Sequence, residues 1–193
     1  MTASFARGDT SVPLIEQTIG ANLEATVAMF PDHEALVSVH QGVRLTYRQF
    51  NEQVDLMARR LLAEGFEIGD RLGMWAPNCV EWAVVQYATA KIGVILVNIN
   101  PAYRTSELEY ALRQSGCRGL MAATEFKTSD YVAMVAEVRP SLPDLQFLWH
   151  IGNDEWQHWL DHHERAPVEV LRARSAALSP ADAINIQYTS GTT

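Results

Sequence analysis

Ile184-Asn185-Ile186-Gln187-Tyr188-Thr189-Ser190-Gly191-Thr192-Thr193 is the stretch on which the reading of the whole chain turns. Ile184, Ile186 and Tyr188 alternate with Asn185 and Gln187, the two-residue period of a β-strand, and Thr189 to Thr193 then place four hydroxyls around one glycine. The pattern predicts a strand opening into a small polar loop. Gly191 tolerates the positive φ that lets successive backbone N–H groups converge, so the loop suits an anion such as a phosphate. On composition alone the same residues also describe a solvated Ser/Thr/Gly tail. No second glycine with a Lys-Ser/Thr pair follows, as a Walker-type phosphate loop requires.

Upstream, residues 153–180 are weakly patterned and predict a short amphipathic helix over Trp156 to His163, followed by a linker rich in Ala, Arg and Ser. Before that, strands and helices alternate. Strands are expected at Arg71 to Ala76, Val94 to Val97, Gly119 to Ala123 and Leu145 to Ile151, with Val94 to Val97 apolar throughout as in a strand buried on both faces. Helices are expected from Thr18 to Phe30, Tyr47 to Glu64 and Cys79 to Ile92, then one capped by Thr105 or Ser106 and one over Ser129 to Arg139. Thr46 and Gln49 form a capping box for the second helix, and Asn78 with Glu81 gives a start signal for the third. Tyr47, Phe50, Val54, Met57 and Leu61 make a buried stripe, leaving Arg48, Glu52, Asp55 and Arg59 to water.

Ahead of these units, Ala35 to His40 and Val43 to Thr46 predict a β-hairpin turning on Gln41-Gly42. The fold class is therefore α/β, a mainly parallel sheet with helices on both faces and an early β-hairpin. In such sheets ligands bind beyond the carboxyl ends of strands, where Thr189 to Thr193 fall.

Bulk properties narrow the function classes. A chain of 193 residues, 48% hydrophobic and 20% charged, is expected to form one domain. Its net charge of −8 argues against a nucleic-acid or anionic-membrane surface, so any phosphate must be held locally. Met1 to Pro13 lack the pattern of a signal peptide, and no apolar run reaches the length of a membrane span, so a cytoplasmic protein is expected. Residues 1–17 read as a loose leader. Cys79 and Cys117 are far apart and form no Cys-x-x-Cys pair, which predicts buried reduced thiols.

Three islands of the sequence carry a family likeness. Tyr188-Thr189-Ser190-Gly191-Thr192-Thr193 resembles the opening of the Tyr-Thr-Ser-Gly-Thr-Thr-Gly-x-Pro-Lys-Gly signature of AMP-forming adenylating enzymes. Leu45-Thr46-Tyr47-Arg48-Gln49, with Phe50 in place of the usual Leu, resembles their early Leu-Thr-Tyr motif. Ala90-Lys91-Ile92-Gly93-Val94, then Val97-Asn98-Ile99-Asn100-Pro101 and Tyr103, resembles a further segment of the same enzymes, and within it Asn100-Pro101-x-Tyr103 followed by Glu107-Leu108-Glu109-Tyr110 is most similar to the fatty-acyl-CoA synthetase branch. The islands beginning at Leu45 and Ala90 are read as scaffold rather than as substrate contacts.

The resemblance implies that residues 18–193 are an incomplete N-terminal part of the adenylating-enzyme large domain, ending inside the phosphate loop. It implies an ATP-dependent fatty-acyl-CoA ligase: a carboxylate attacks ATP to give an acyl-adenylate and pyrophosphate, and the thiol of CoA then displaces AMP. Thr189, Ser190, Gly191, Thr192 and Thr193 correspond to phosphate-loop positions, and no catalytic residue or metal ligand of the family maps onto the chain. ATP, Mg2+ and CoA are implied as cofactors and a fatty acid as substrate, with none expected to bind this fragment tightly. Without the loop lysine and the magnesium-binding glutamate, each such group being worth about 3 kcal/mol of transition-state stabilisation, no turnover is expected from the fragment.

The alternative is a non-catalytic remnant or binding module that pairs with another chain through an open sheet edge. A dinucleotide-binding domain is disfavoured because no Gly-x-Gly-x-x-Gly follows an early strand. His158 and His162 stand four residues apart, a spacing that can chelate zinc, but a solvated helix face anchored by tryptophan accounts for them better.

Overall fold

A computed structural model of the chain describes residues 8–9, 11–162 and 165–189. The first helix, α1 (Ile19–Met29), starts where Thr18 Oγ1 accepts a hydrogen bond from Ala21 N at 3.2 Å. A hairpin of β1 (Glu34–Ser38) and β2 (Val43–Thr46) follows and runs directly into α2 (Tyr47–Ala63). The predicted capping box closes this junction: Thr46 Oγ1 accepts from Gln49 N, and Gln49 Oε1 accepts from Thr46 N. Repeating strand–helix units come next, β3 (Arg71–Trp75) with α3 (Val80–Ile92) and β4 (Ile95–Asn98) with α4 (Thr105–Ser115). After β5 (Gly119–Ala123), a small hairpin of β6 (Glu125–Phe126) and β7 (Ser129–Asp130) leads into α5 (Tyr131–Val138) and a 3-10 turn at Arg139–Ser141. The remaining elements are β8 (Phe147–Ile151), α6 (Asp154–His162), α7 (Val168–Ala176) and β9 (Asn185–Gln187).

Five strands pair in the order β8-β5-β3-β4-β9, all parallel, and antiparallel pairing is confined to the two hairpins. Side chains alternate across β3, so Leu72 and Met74 point to one layer and Trp75 to the other. The first layer packs Val54 and Leu61 of α2, Val84 and Ala88 of α3 and Leu171 of α7 on the sheet. The second packs Leu108 and Leu112 of α4 and Tyr131 and Val135 of α5. A sheet buried on both faces requires strands without polar alternation, and Leu96 and Val97 at the centre of β4 are both fully buried.

Several local expectations are corrected. The hairpin does not turn on Gln41-Gly42 alone. β1 ends at Ser38 and residues 39–42 form the turn, with Gly42 N bonded to Val39 O at 3.2 Å. This frees the Gln41 side chain, whose Oε1 accepts from Val80 N at 2.8 Å and whose Nε2 donates to Glu81 at 3.0 Å. The first turn of α3 is thus capped from the hairpin, and Cys79 at its N-cap makes no side-chain cap bond.

The cap of α4 is Arg104, one residue before the predicted Thr105, with Glu107 accepting from Arg104 N at 2.8 Å. Residues 168–176, read from sequence as linker, form α7, held by Arg174 to Glu67 at 2.6 Å and Ser175 Oγ to Lys91 O at 2.8 Å. Asp55, expected to face water, accepts from the buried Lys91. Arg60, outside the predicted stripe of α2, is buried at 3% exposure.

Candidate functional site

The carboxyl ends of β3, β4 and β9 converge on one side of the sheet and border an open cavity of about 320 Å³. Its walls carry four amides, from Asn78, Asn98, Asn100 and Gln187, beside the rings of Trp82 and Tyr188. Parallel pairing of β4 with β9 sets Asn98 opposite Gln187, so the last residues of the two strands face the same space. The Oδ1 atom of Asn98 is buried without a hydrogen-bond partner among the described residues. An acceptor in that state stabilises a bound donor, because its desolvation is already incurred.

The loop after β4 is fixed from below. Asn100 Oδ1 accepts from Ala102 N at 2.9 Å, and the Asn100 carbonyl accepts from Trp75 Nε1 at 3.0 Å. Tyr131 donates its hydroxyl to the Pro101 carbonyl and stacks on Trp75, with ring centroids 3.5 Å apart. Two aromatics from separate elements therefore hold one wall of the cavity in register with the sheet.

Tyr188 separates this cavity from a second one of about 430 Å³, which Thr189 shares with Tyr103, Glu107 and Tyr110. Its hydroxyl reaches Ala111 O at 3.1 Å, and burial pushes its phenol above the ordinary tyrosine range. Thr189, the first of the predicted phosphate-loop residues, is exposed just past β9. Ser190, Gly191, Thr192 and Thr193 lie outside the described residues. Neither cavity is lined by a Lys or Arg among the described residues, so these walls can orient a polar group by hydrogen bonds but cannot neutralise phosphate charge. The amide cluster was missed in the sequence because it assembles from three segments far apart along the chain.

Among the described residues no three or more His, Cys, Asp or Glu side chains gather as a metal site. His158 lies on α6, and the side chain of His162 is outside the described residues. Both thiols are free, Cys117 buried and Cys79 half-buried, and desolvation pushes each up to about 11. Among the described residues no helix is long and apolar enough to cross a membrane.

Comparison with known proteins places this architecture. The rat protein named medium-chain acyl-CoA ligase ACSF2, mitochondrial, is 41% identical over 209 residues, covering 98% of this chain and 34% of the rat protein. The human protein of that name is 39% identical with the same coverage. The crystal structure of the N-terminal domain of FACL13 from Mycobacterium tuberculosis superposes with a TM-score of 0.73 at 25% identity, covering 90% of this chain and 42% of that one. The chain spans about a third of the length of the curated relatives it matches.

The cytoplasmic expectation is overturned by these relatives, since the rat and human proteins are both mitochondrial by name. Organelle import is directed by amphipathic leaders, which a search for secretory signals and apolar spans does not register. The family profile described as AMP-binding enzyme matches residues 23–193, from α1 through β9 and the Thr189-to-Thr193 segment. On that match and on the parallel sheet that carries it, the chain belongs to the AMP-binding enzymes.

Proposed function

We propose that the chain is the N-terminal part of an AMP-forming acyl-CoA ligase and that its share of the site is the carboxyl edge of the sheet. The observation that carries this reading is the pairing of β4 with β9, which brings Asn98 and Gln187 together at the point where the chain enters Thr189 to Thr193. In this reading Thr189, Ser190, Gly191, Thr192 and Thr193 hold the nucleotide phosphates through hydroxyl and backbone donors. ATP would supply the adenylyl group, Mg2+ would offset phosphate charge, and CoA would accept the acyl group. Asn98, with its unpartnered carbonyl, and Asn78 would orient a polar part of the bound substrates.

The likeness to acyl-CoA ligases supports a fatty-acid carboxylate as substrate, and the relatives' names direct the test to medium-chain acids. The two carboxyl-edge cavities are lined by no Lys or Arg among the described residues, so the charge stabilisation demanded by pyrophosphate departure must come from elsewhere in the enzyme. The 193-residue chain alone is therefore inactive, and its outer strand β9 pairs with the remainder of the large domain.

The test is pyrophosphate release with ATP, Mg2+, CoA and a series of straight-chain acids. The expected result is no release from the chain alone and acid-dependent release when the separately expressed C-terminal portion of the rat relative is added. Turnover by the chain alone would refute the claim of inactivity. A folded complex of the two parts that never releases pyrophosphate would refute the ligase reading.

A further inference from the structure

A separate cavity of about 350 Å³ lies between α2, α3 and α6 and shares no lining residue with the carboxyl-edge cavity. Its volume is that of a small-molecule site. Leu56 and Met57 of α2, Val84 of α3 and Trp156 and Leu160 of α6 give it apolar walls. Arg60 enters from α2 and is only 3% exposed.

A guanidinium this far from water needs acceptors, and Arg60 Nε has none among the described residues. The ring of Trp159 lies 5.7 Å from Arg60 Cζ, a cation–π contact that engages the face of the guanidinium and leaves Nε on its edge without an acceptor among the described residues. The acids at the rim are engaged with amides: Asp161 accepts from Gln157 at 2.9 Å and Glu81 from Gln41 at 3.0 Å. Burial and the nearby positive charge of Arg165 pull the Arg60 pKa down to about 10, against the opposing pull of Asp161. The cavity thus combines an apolar wall with one buried cation whose Nε has no acceptor among the described residues, beside Arg165 and the carboxylates of Glu81 and Asp161.

We propose that this cavity binds a small amphiphilic carboxylate, with its hydrocarbon chain against α2, α3 and α6 and its carboxylate on the N–H edge of Arg60, at a site distinct from the carboxyl-edge cleft. A carboxylate offers two acceptors to the guanidinium fork, and its chain packs against the apolar wall. A neutral amphiphile covers the same wall and leaves Arg60 unpaired. An inorganic anion pairs with Arg60 and gains nothing from the wall.

The probes are octanoate, octanol and acetate, titrated calorimetrically into the full chain and into Arg60→Met and Leu56→Trp variants whose fold is checked by circular dichroism. Octanoate is expected to bind about tenfold or more tighter than octanol or acetate, the difference a charge-assisted pair contributes. Arg60→Met is expected to reduce octanoate to the octanol level while leaving octanol unchanged. Leu56→Trp, which fills the cavity and keeps Arg60, is expected to abolish both. Equal binding of octanoate and octanol, absence of binding, or octanoate binding that survives Arg60→Met overturns the proposal. If Arg60→Met does not fold, Leu56→Trp decides alone, and full retention of octanoate binding by that variant overturns it.

Discussion

Lys91 Nζ lies 2.6 Å from Asp55 Oδ1, and Asn51 Oδ1 at 2.8 Å and Glu24 Oε1 at 2.9 Å complete its shell. The Lys91 side chain has no exposure, so one ammonium from α3 joins α1 and α2 through three oxygens. Its partners keep access to water, which makes the arrangement asymmetric. Asp55→Ala leaves a buried cation with fewer acceptors and should cost about 3 kcal/mol. Lys91→Met keeps the aliphatic stem and releases carboxylates that can turn to solvent, so its cost should be smaller, about 1 kcal/mol. Urea denaturation of the two variants, with unchanged m-values, checks the order.

Gly93 should tolerate no side chain. It ends α3 at φ +74°, and a Cβ there would sit 2.7 Å from Leu178 and 3.0 Å from Ile68. Gly93→Ala combines left-handed backbone strain with overpacking and should cost about 2 kcal/mol or more, read as a lower denaturation midpoint.

The loop that walls the carboxyl-edge cavity should loosen in Tyr131→Phe, which removes the hydroxyl from the Pro101 carbonyl. The loss should be about 1 kcal/mol, with faster hydrogen exchange at Ala102 and Tyr103 than in the unaltered chain.

The same variant gives a pH signature. Burial pushes the Tyr131 phenol from 10.0 up to about 12, so folding favours the protonated form. Its contribution is fully present below 10.0 and is lost as pH rises from there to about 12. The stability difference between the chain and Tyr131→Phe should therefore be constant at neutral pH and shrink across that window.

Alkylation should be slow and ordered. Both thiols are held up to about 11, so little thiolate exists at about pH 8. Cys79, half-buried, should react before the buried Cys117, and mass spectrometry of partly alkylated chain should show the first adduct on Cys79.

The elements that read correctly from sequence are those whose signals are local. The capping box at Thr46 and Gln49 and the apolar stripe of Phe50, Val54, Met57 and Leu61 each act within a few residues. What escaped is set at long range. Helix α7 has little amphipathic pattern of its own and is held by Arg174 and Ser175 to residues of α3 and the loop before β3. Asp55 reads as a solvent-facing helix residue until Lys91, 36 residues on, is packed against it. The amide cluster of Asn78, Asn98, Asn100 and Gln187 was illegible for the same reason, since each residue taken singly is an ordinary strand-end or loop amide. The Thr189-to-Thr193 segment is assigned to a phosphate loop only through its family signature, because hydroxyls and a glycine alone fit a tail equally well.

Gln41 reaches across 39 residues to receive the first free amide of α3, which makes the β1–β2 hairpin a clasp rather than an ornament. Homologues or chimeras that exchange this hairpin inherit an obligation: whatever replaces it must present an acceptor at the same place, or the turn bearing Trp82 frays beside the cavity it helps to wall. Swaps that look harmless at the periphery would then be felt at the opposite end of the helix layer.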